Sequence, residues 1–239
     1  MHLEHNEPNK AAVGEKMSGE RKEAGAAGGL ATVAGRRKLL LGMALRRARP
    51  GAGSADVFLR ERTAIVTWPD LSEILTGLPW GVVGAVATRA YIPERATQDL
   101  DILVMVGDAR EIRTRLEQAG FAKVQELAIG GVTWRSPSGS VVDVIESGEA
   151  WVPEALRDLR RDPQGLPVLS RPNLILMKVQ SGRAQDLADA ARMLGLAPEE
   201  DRQNTRVLFE RYLSDALDDL ESLIALGKLE AGESRRGGQ

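Results

Sequence analysis

Cysteine is absent from this chain of 239 residues. That excludes thiol nucleophiles, disulfide frameworks and Cys-ligated zinc or iron–sulfur centres together. Histidine is scarce too: His2 and His5 are the whole complement, both in an N-terminal stretch without apolar periodicity. Ser-His-Asp catalysis, histidine general-base chemistry and His-ligated metals therefore lack credible residues. No apolar run approaches the ~20 residues that span a bilayer. The longest, Leu39 to Leu45, has arginines on both sides and neither the position nor the cleavage site of a secretory signal. A cytoplasmic protein without a membrane partner is the expectation. A strong charge imbalance is also missing, since the net charge is -2, so the whole chain carries no marked electrostatic signal for nucleic acid. What remains for chemistry is carboxylates, Lys, Arg, Tyr, Ser/Thr and a hard, oxygen-preferring metal.

Hydrophobic residues make up 43% of the chain, enough for one good core with ragged ends. Residues 1–55 read as a disordered basic tail. Through Pro50 they hold ten Lys and Arg against five acids. Such a tail is suited to nucleic acid or an acidic partner, but a solvated extension, or a misplaced start upstream of Met43, is the simpler reading.

From Trp68 the texture changes. Pro69-Asp70 before Leu71, Ile74 and Leu75 predicts a helix with Asp70 as its N-cap, ended by Gly77 and Pro79. Trp80 to Ala85 suits a buried strand, and Leu100 to Val106 is the strongest strand in the chain. Ala109 to Ala119 has helical spacing and stops at Gly120. Three short strands are expected over 122–127, 132–136 and 141–145, with turns at Gly130-Gly131 and Ser138-Gly139. After Pro172 the pattern is helical to the end, broken at Gly195 to Pro198. This order predicts an α+β class: a mixed β-sheet flanked by helices, over 56–194, with a helical C-terminal extension over 195–239 whose end is disordered.

Asp99 and Asp101 stand two apart at the start of the strong strand. Strand side chains alternate, so both carboxylates face one way. Two charges held that close repel unless a cation lies between them, and oxygen ligands favour magnesium or manganese. Asp143, amid Val141, Val142, Val144 and Ile145, is a third acid in an apolar strand, a costly place without a partner. If the two strands are neighbours, the three acids meet. The plainer alternatives are that Asp99 caps a turn, Asp101 pairs with an arginine and Asp143 lies on an exposed face.

The segment Gly84-Ala85, then Tyr91, Arg95, Thr97 and Asp99-Leu100-Asp101, resembles the signature of the DNA-polymerase-β-like nucleotidyltransferase superfamily. In detail it is similar to bacterial nucleotidyltransferases of the minimal and abortive-infection-toxin type. Later features match in order: Asp143 in a hydrophobic strand, Lys178 on a helix, then Arg183, Asp186 and Asp189. The match runs from Gly81 to Leu194.

The resemblance implies a magnesium- or manganese-dependent transfer from a nucleoside triphosphate such as ATP to a hydroxyl acceptor. Asp99 and Asp101 would bind the metal that carries the triphosphate, and Asp143 would complete a second metal and orient the acceptor. Gly84 and Ala85 would let the backbone approach the phosphates, with Arg95, Lys178 and Asp186 also at the nucleotide. The acceptor would be a protein side chain, a transfer RNA or a small molecule. A toxin role with an antitoxin partner is a further implication. The chain departs from the family at Ala85, where a Gly or Ser is usual. That departure favours a second possibility, a non-catalytic binding or assembly protein on the same fold. Intrahelical salt bridging explains Arg183, Asp186 and Asp189 as well as substrate binding does, and Lys178, beside Leu174, Ile175 and Leu176, is either a snorkelling lysine at the core edge or a phosphate ligand.

Overall fold

The structure, a computed structural model, describes residues 32–48, 68–92, 97 and 99–232. The architecture is mixed α+β: a seven-stranded sheet flanked by helices, with a helical C-terminal part. The strands are β1 (Trp80–Val82), β2 (Asp99–Met105), β3 (Ala122–Glu126), β4 (Gly131–Arg135), β5 (Val141–Ser147), β6 (Leu159–Arg161) and β7 (Pro167–Leu169). The helices among the described residues are α1 (Val33–Arg47), α2 (Gly84–Thr88), α3 (Ala109–Gln118), α4 (Val152–Ala155), α5 (Arg171–Ser181), α6 (Ala184–Gly195), α7 (Glu199–Tyr212) and α8 (Leu217–Glu230). The sheet order is β3-β4-β5-β2-β1-β7-β6. Pairing is antiparallel except where β2 meets β5 and β1 meets β7.

The central strands are apolar enough to be covered on both sides. Leu100, Ile102 and Val104 of β2, with Val142 and Val144 of β5, point to one face and are fully buried. Val82 of β1, paired with Ile102, continues that face, as do Val132 and Trp134 of β4. Trp134 is thus a core residue. The other face begins with Leu103 and Ile145 but carries Asp99, Asp101 and Asp143 at its end.

Three elements differ from the sequence reading. The helix expected after Asp70 is a run of turns over 72–77, in which Asp70 Oδ1 accepts from the Ser72 amide at 2.9 Å. Gly77, with φ +80°, and Pro79 arrive before a second helical turn can close. The strand expected to Ala85 ends at Val82, because Gly84 turns the chain into α2. The short strands β6 and β7 fall in a stretch whose few apolar residues give no readable alternation.

The expected disordered tail over 1–55 is corrected in part: α1 is a docked helix. Leu41 is buried, and Arg37, one turn earlier on the same face, is buried at 2% exposure against Asp219 of α8. Asp215 stands 3.5 Å from the same guanidinium. A short apolar stripe between arginines looked solvated because its partner face lies nearly 180 residues away. The remainder of 1–55 lies outside the described residues. Nor does Leu194 end a separate unit, since one continuous core runs from Leu41 to Leu226. The junction of α6 with α8 is close enough that a Cβ on Gly227 would stand 2.7 Å from the Gly195 amide nitrogen and 2.9 Å from the Ala191 carbonyl carbon.

Two alanine substitutions should therefore act in opposite directions in urea unfolding. Gly227→Ala meets backbone that has nowhere to go and should cost about 2–3 kcal/mol. Gly42→Ala in the open face of α1 meets only the tip of Arg46 and should add roughly 0.5–1 kcal/mol by its helical propensity. No gain from the second would mean that α1 is not helical in solution.

Candidate functional site

The register of β2 against β5 builds the site. Asp101 pairs with Asp143, and Asp99 with Val141. Partners in a parallel ladder share a face, and neighbouring strands lie about 4.8 Å apart. Asp101 and Asp143 are therefore side by side, with Asp99 on the same face at the strand's start, where it is exposed. Asp101 and Asp143 are half-buried. The adjacency that a metal site needs, open in the sequence, is present for these two acids.

Gly84 meets them from the other side. Its φ is +61°, a left-handed value that glycine adopts freely. A Cβ there would lie 2.7 Å from Asp101 Cγ, so no larger residue fits while Asp101 keeps its place. The Val83 amide donates to the Asp101 carbonyl at 2.9 Å, and Thr88 Oγ1 donates to the Gly84 carbonyl at 2.8 Å. These bonds hold the β1–α2 turn against the acid strand. Ala85 follows in α2 and offers a backbone amide but no hydroxyl.

Electrostatics follow from the crowding. Asp101 is pushed up to about 6, first by burial, then by the charges of Asp143 and Asp99. Arg183 and Lys178 act in the opposite sense on it, which brings the α5–α6 junction within electrostatic reach of the acid face. One oxygen of Asp143, Oδ1, is buried without a hydrogen-bond partner among the described residues. A buried carboxylate oxygen with no donor is costly in a protein, and either a hydroxyl donor or a hard divalent cation beside the carboxylate offsets that cost. The residues fit such a group in chemistry and register. As the side chains stand, no group of three or more Asp, Glu or His among the described residues is positioned to hold an ion.

Lys178 and Asp186 are engaged with each other. Lys178 Nζ lies 3.1 Å from Asp186 Oδ1 and 2.9 Å from Asp189 Oδ2, all three buried. Arg183 Nε donates to Asp186 Oδ2 at 2.6 Å, Ser181 Oγ donates to the same oxygen, and Arg192 reaches Asp189 at 3.1 Å. These contacts form a salt-bridge network between the two helices as well as within α6. It locks α5 to α6. Arg95 lies outside the described residues. Tyr91 donates its hydroxyl to the Leu169 carbonyl at 2.6 Å, with Arg171 over its ring.

One residue of the acid face went unnoticed in the sequence. Thr133 on β4 pairs with Asp143 and extends the row Asp101–Asp143 onto a third strand. A signal existed: the turn centred on Ser138 fixes the hairpin register, and counting outward from it puts 133 opposite 143.

No family model matches this chain. No curated protein matches it either. Among solved structures, the chain is similar to the antibiotic-resistance factor ANT(2'')-Ia. A crystal structure of that protein in complex with adenylyl-2''-tobramycin aligns at 16% identity and TM-score 0.34, over 63% of this chain and 87% of that one. Its solution structure aligns at the same identity and TM-score, over 63% and 82%. A cytoplasmic RNA terminal U-transferase aligns at 15% identity and TM-score 0.26, over 66% of this chain and 43% of that one. These TM-scores are below 0.5, so the functional reading rests on the site's own geometry.

Proposed function

We propose that this protein is a nucleotidyltransferase that uses magnesium or manganese and a nucleoside triphosphate. The observation that carries the reading is the in-register pair Asp101–Asp143, with Asp99 on the same face and Gly84 pressed against Asp101. Asp99 and Asp101 would hold the cation bearing the triphosphate, and Asp143 would complete the site toward the acceptor. A bound divalent cation supplies positive charge to the attacking and leaving oxygens, most of what this class of transfer requires. The acceptor hydroxyl oxygen bonds to the α-phosphorus, the α–β phosphoanhydride bond breaks, and pyrophosphate leaves. Asp143 takes or orients the hydroxyl proton. Arg183, whose side chain is 72% exposed and whose charge already acts on Asp101, is a cationic group suited to the triphosphate.

Two observations favour a second reading, a protein that keeps this fold for binding alone. Ala85 has no hydroxyl to offer a phosphate, and the three carboxylates do not converge as they stand. The identity of the acceptor, and the toxin role with its antitoxin, rest on the family resemblance alone. No helix among the described residues is long and apolar enough to cross a membrane.

Calorimetric titration of the four magnesium–triphosphates separates the two readings. Binding that requires magnesium and disappears in the Asp99→Ala, Asp101→Ala double variant supports the enzyme. No binding of any triphosphate by the wild type would overturn it.

The crowding at Asp101 gives a pH dependence with a definite sign. Its folded value near 6 lies above the unfolded one near 3.8, so the metal-free fold binds the extra proton between them. Metal-free stability should therefore increase as pH falls from 7 through 6, then level off near 4. Asp101→Asn should add roughly 2–3 kcal/mol at pH 7.5 and about 1 kcal/mol at pH 4.5 in urea unfolding. Cation affinity has the opposite trend, because only the carboxylate binds metal. It should weaken as pH drops below about 6.

A further inference from the structure

The acid face does not end at Asp143. Thr133 lies across from it in the antiparallel β4–β5 ladder, and directly opposed residues share a face with Cβ atoms about 4.5–5.5 Å apart. Thr133 is 6% exposed, yet its Oγ1 is buried without a hydrogen-bond partner among the described residues. Asp143 Oδ1 is in the same condition. Gln125, its other ladder neighbour on β3, is exposed. Two residues on one rung thus each carry an unsatisfied buried oxygen on the same face, one able to donate and one able to accept. Val132 and Trp134, on either side in β4, are core residues, and Arg135, which shares the face of Thr133 opposite Val141, is exposed, so Thr133 is the buried polar side chain that this strand presents to the acid row.

We propose that Thr133 is a positioning residue of the acid site, donating its hydroxyl to one oxygen of Asp143 so that the other is held toward a divalent cation shared with Asp101. The inference rests on the metal-dependent reading above. Carboxylates that ligate metals are themselves held by hydrogen bonds, and losing such a support typically weakens metal binding by about 10–100-fold. The hydroxyl has no hydrogen-bond partner among the described residues, so it adds no hydrogen bond to the fold. Metal affinity and metal-free stability should therefore respond differently to its removal.

The test is Mn2+ binding to the full chain, read by water-proton relaxation, with urea unfolding in EDTA alongside. Thr133→Val keeps the shape and removes the hydroxyl. It should weaken Mn2+ binding about tenfold or more while leaving the EDTA unfolding midpoint unchanged or higher. Thr133→Ser, which keeps the hydroxyl, should bind within about twofold of wild type. Thr133→Val should have no further effect in an Asp143→Asn background. Wild-type affinity in Thr133→Val, an equal loss in Thr133→Ser, or a marked drop in EDTA stability would each overturn the positioning role. A wild-type protein that binds no Mn2+ would instead remove the metal reading beneath it.

Discussion

The parallel pairing of β2 with β5 sets Asp101 beside Asp143, and the surroundings are arranged about that pair. A carboxylate pair at the edge of an apolar sheet is electrostatically unfavourable, and its cost appears directly as the raised Asp101. The fold tolerates this because behind the acids the opposite face of both strands, Leu100, Ile102 and Val104 with Val142 and Val144, is apolar and buried. Hydrophobic burial on one side keeps two charges together on the other.

The elements around the pair reinforce its position. β1 pairs with β2 and then turns at Gly84, where the absence of a Cβ lets the chain pass against the Asp101 carboxylate. β4 brings Thr133 to the far side of Asp143. α5 and α6, fastened by Lys178 between Asp186 and Asp189, bring positive charge within reach of the acids. Removing one partner from a buried ionic cluster of this kind is generally far more costly than forming it is favourable. That network therefore fixes the angle between two helices and the charge that borders the site.

The C-terminal helices are part of the same body as the sheet. α8 packs along α6 at the Gly195–Gly227 crossing and receives α1 through Arg37 and Asp219. The N-terminal helix is thereby tied to the helix pair that borders the acid face, although it lies far from the acids in sequence.

Local chemistry made much of this legible from the residues alone. The hydrophobic run after Asp99, the helical spacing of Ile112 and Leu116, and the turns at Gly130-Gly131 and Ser138-Gly139 specify β2, α3 and the β3–β5 meander, because alternation and turn geometry act over a few residues. The choice of Asp99, Asp101 and Asp143 as candidate ligands came from the same source, since acids in apolar strands stand out. Other features depend on partners distant in the chain. The turn after Asp70, the short strands β6 and β7, and the docking of α1 are decided by what they pack against. Lys178 and Asp186 were legible as charges on helices, but only the α5–α6 packing shows them neutralising each other. The sequence alone determined which residues could form the acid site. Tertiary structure decided that Asp101, Asp143 and Thr133 stand in one row, because strand register is a property of paired strands and no single strand carries it.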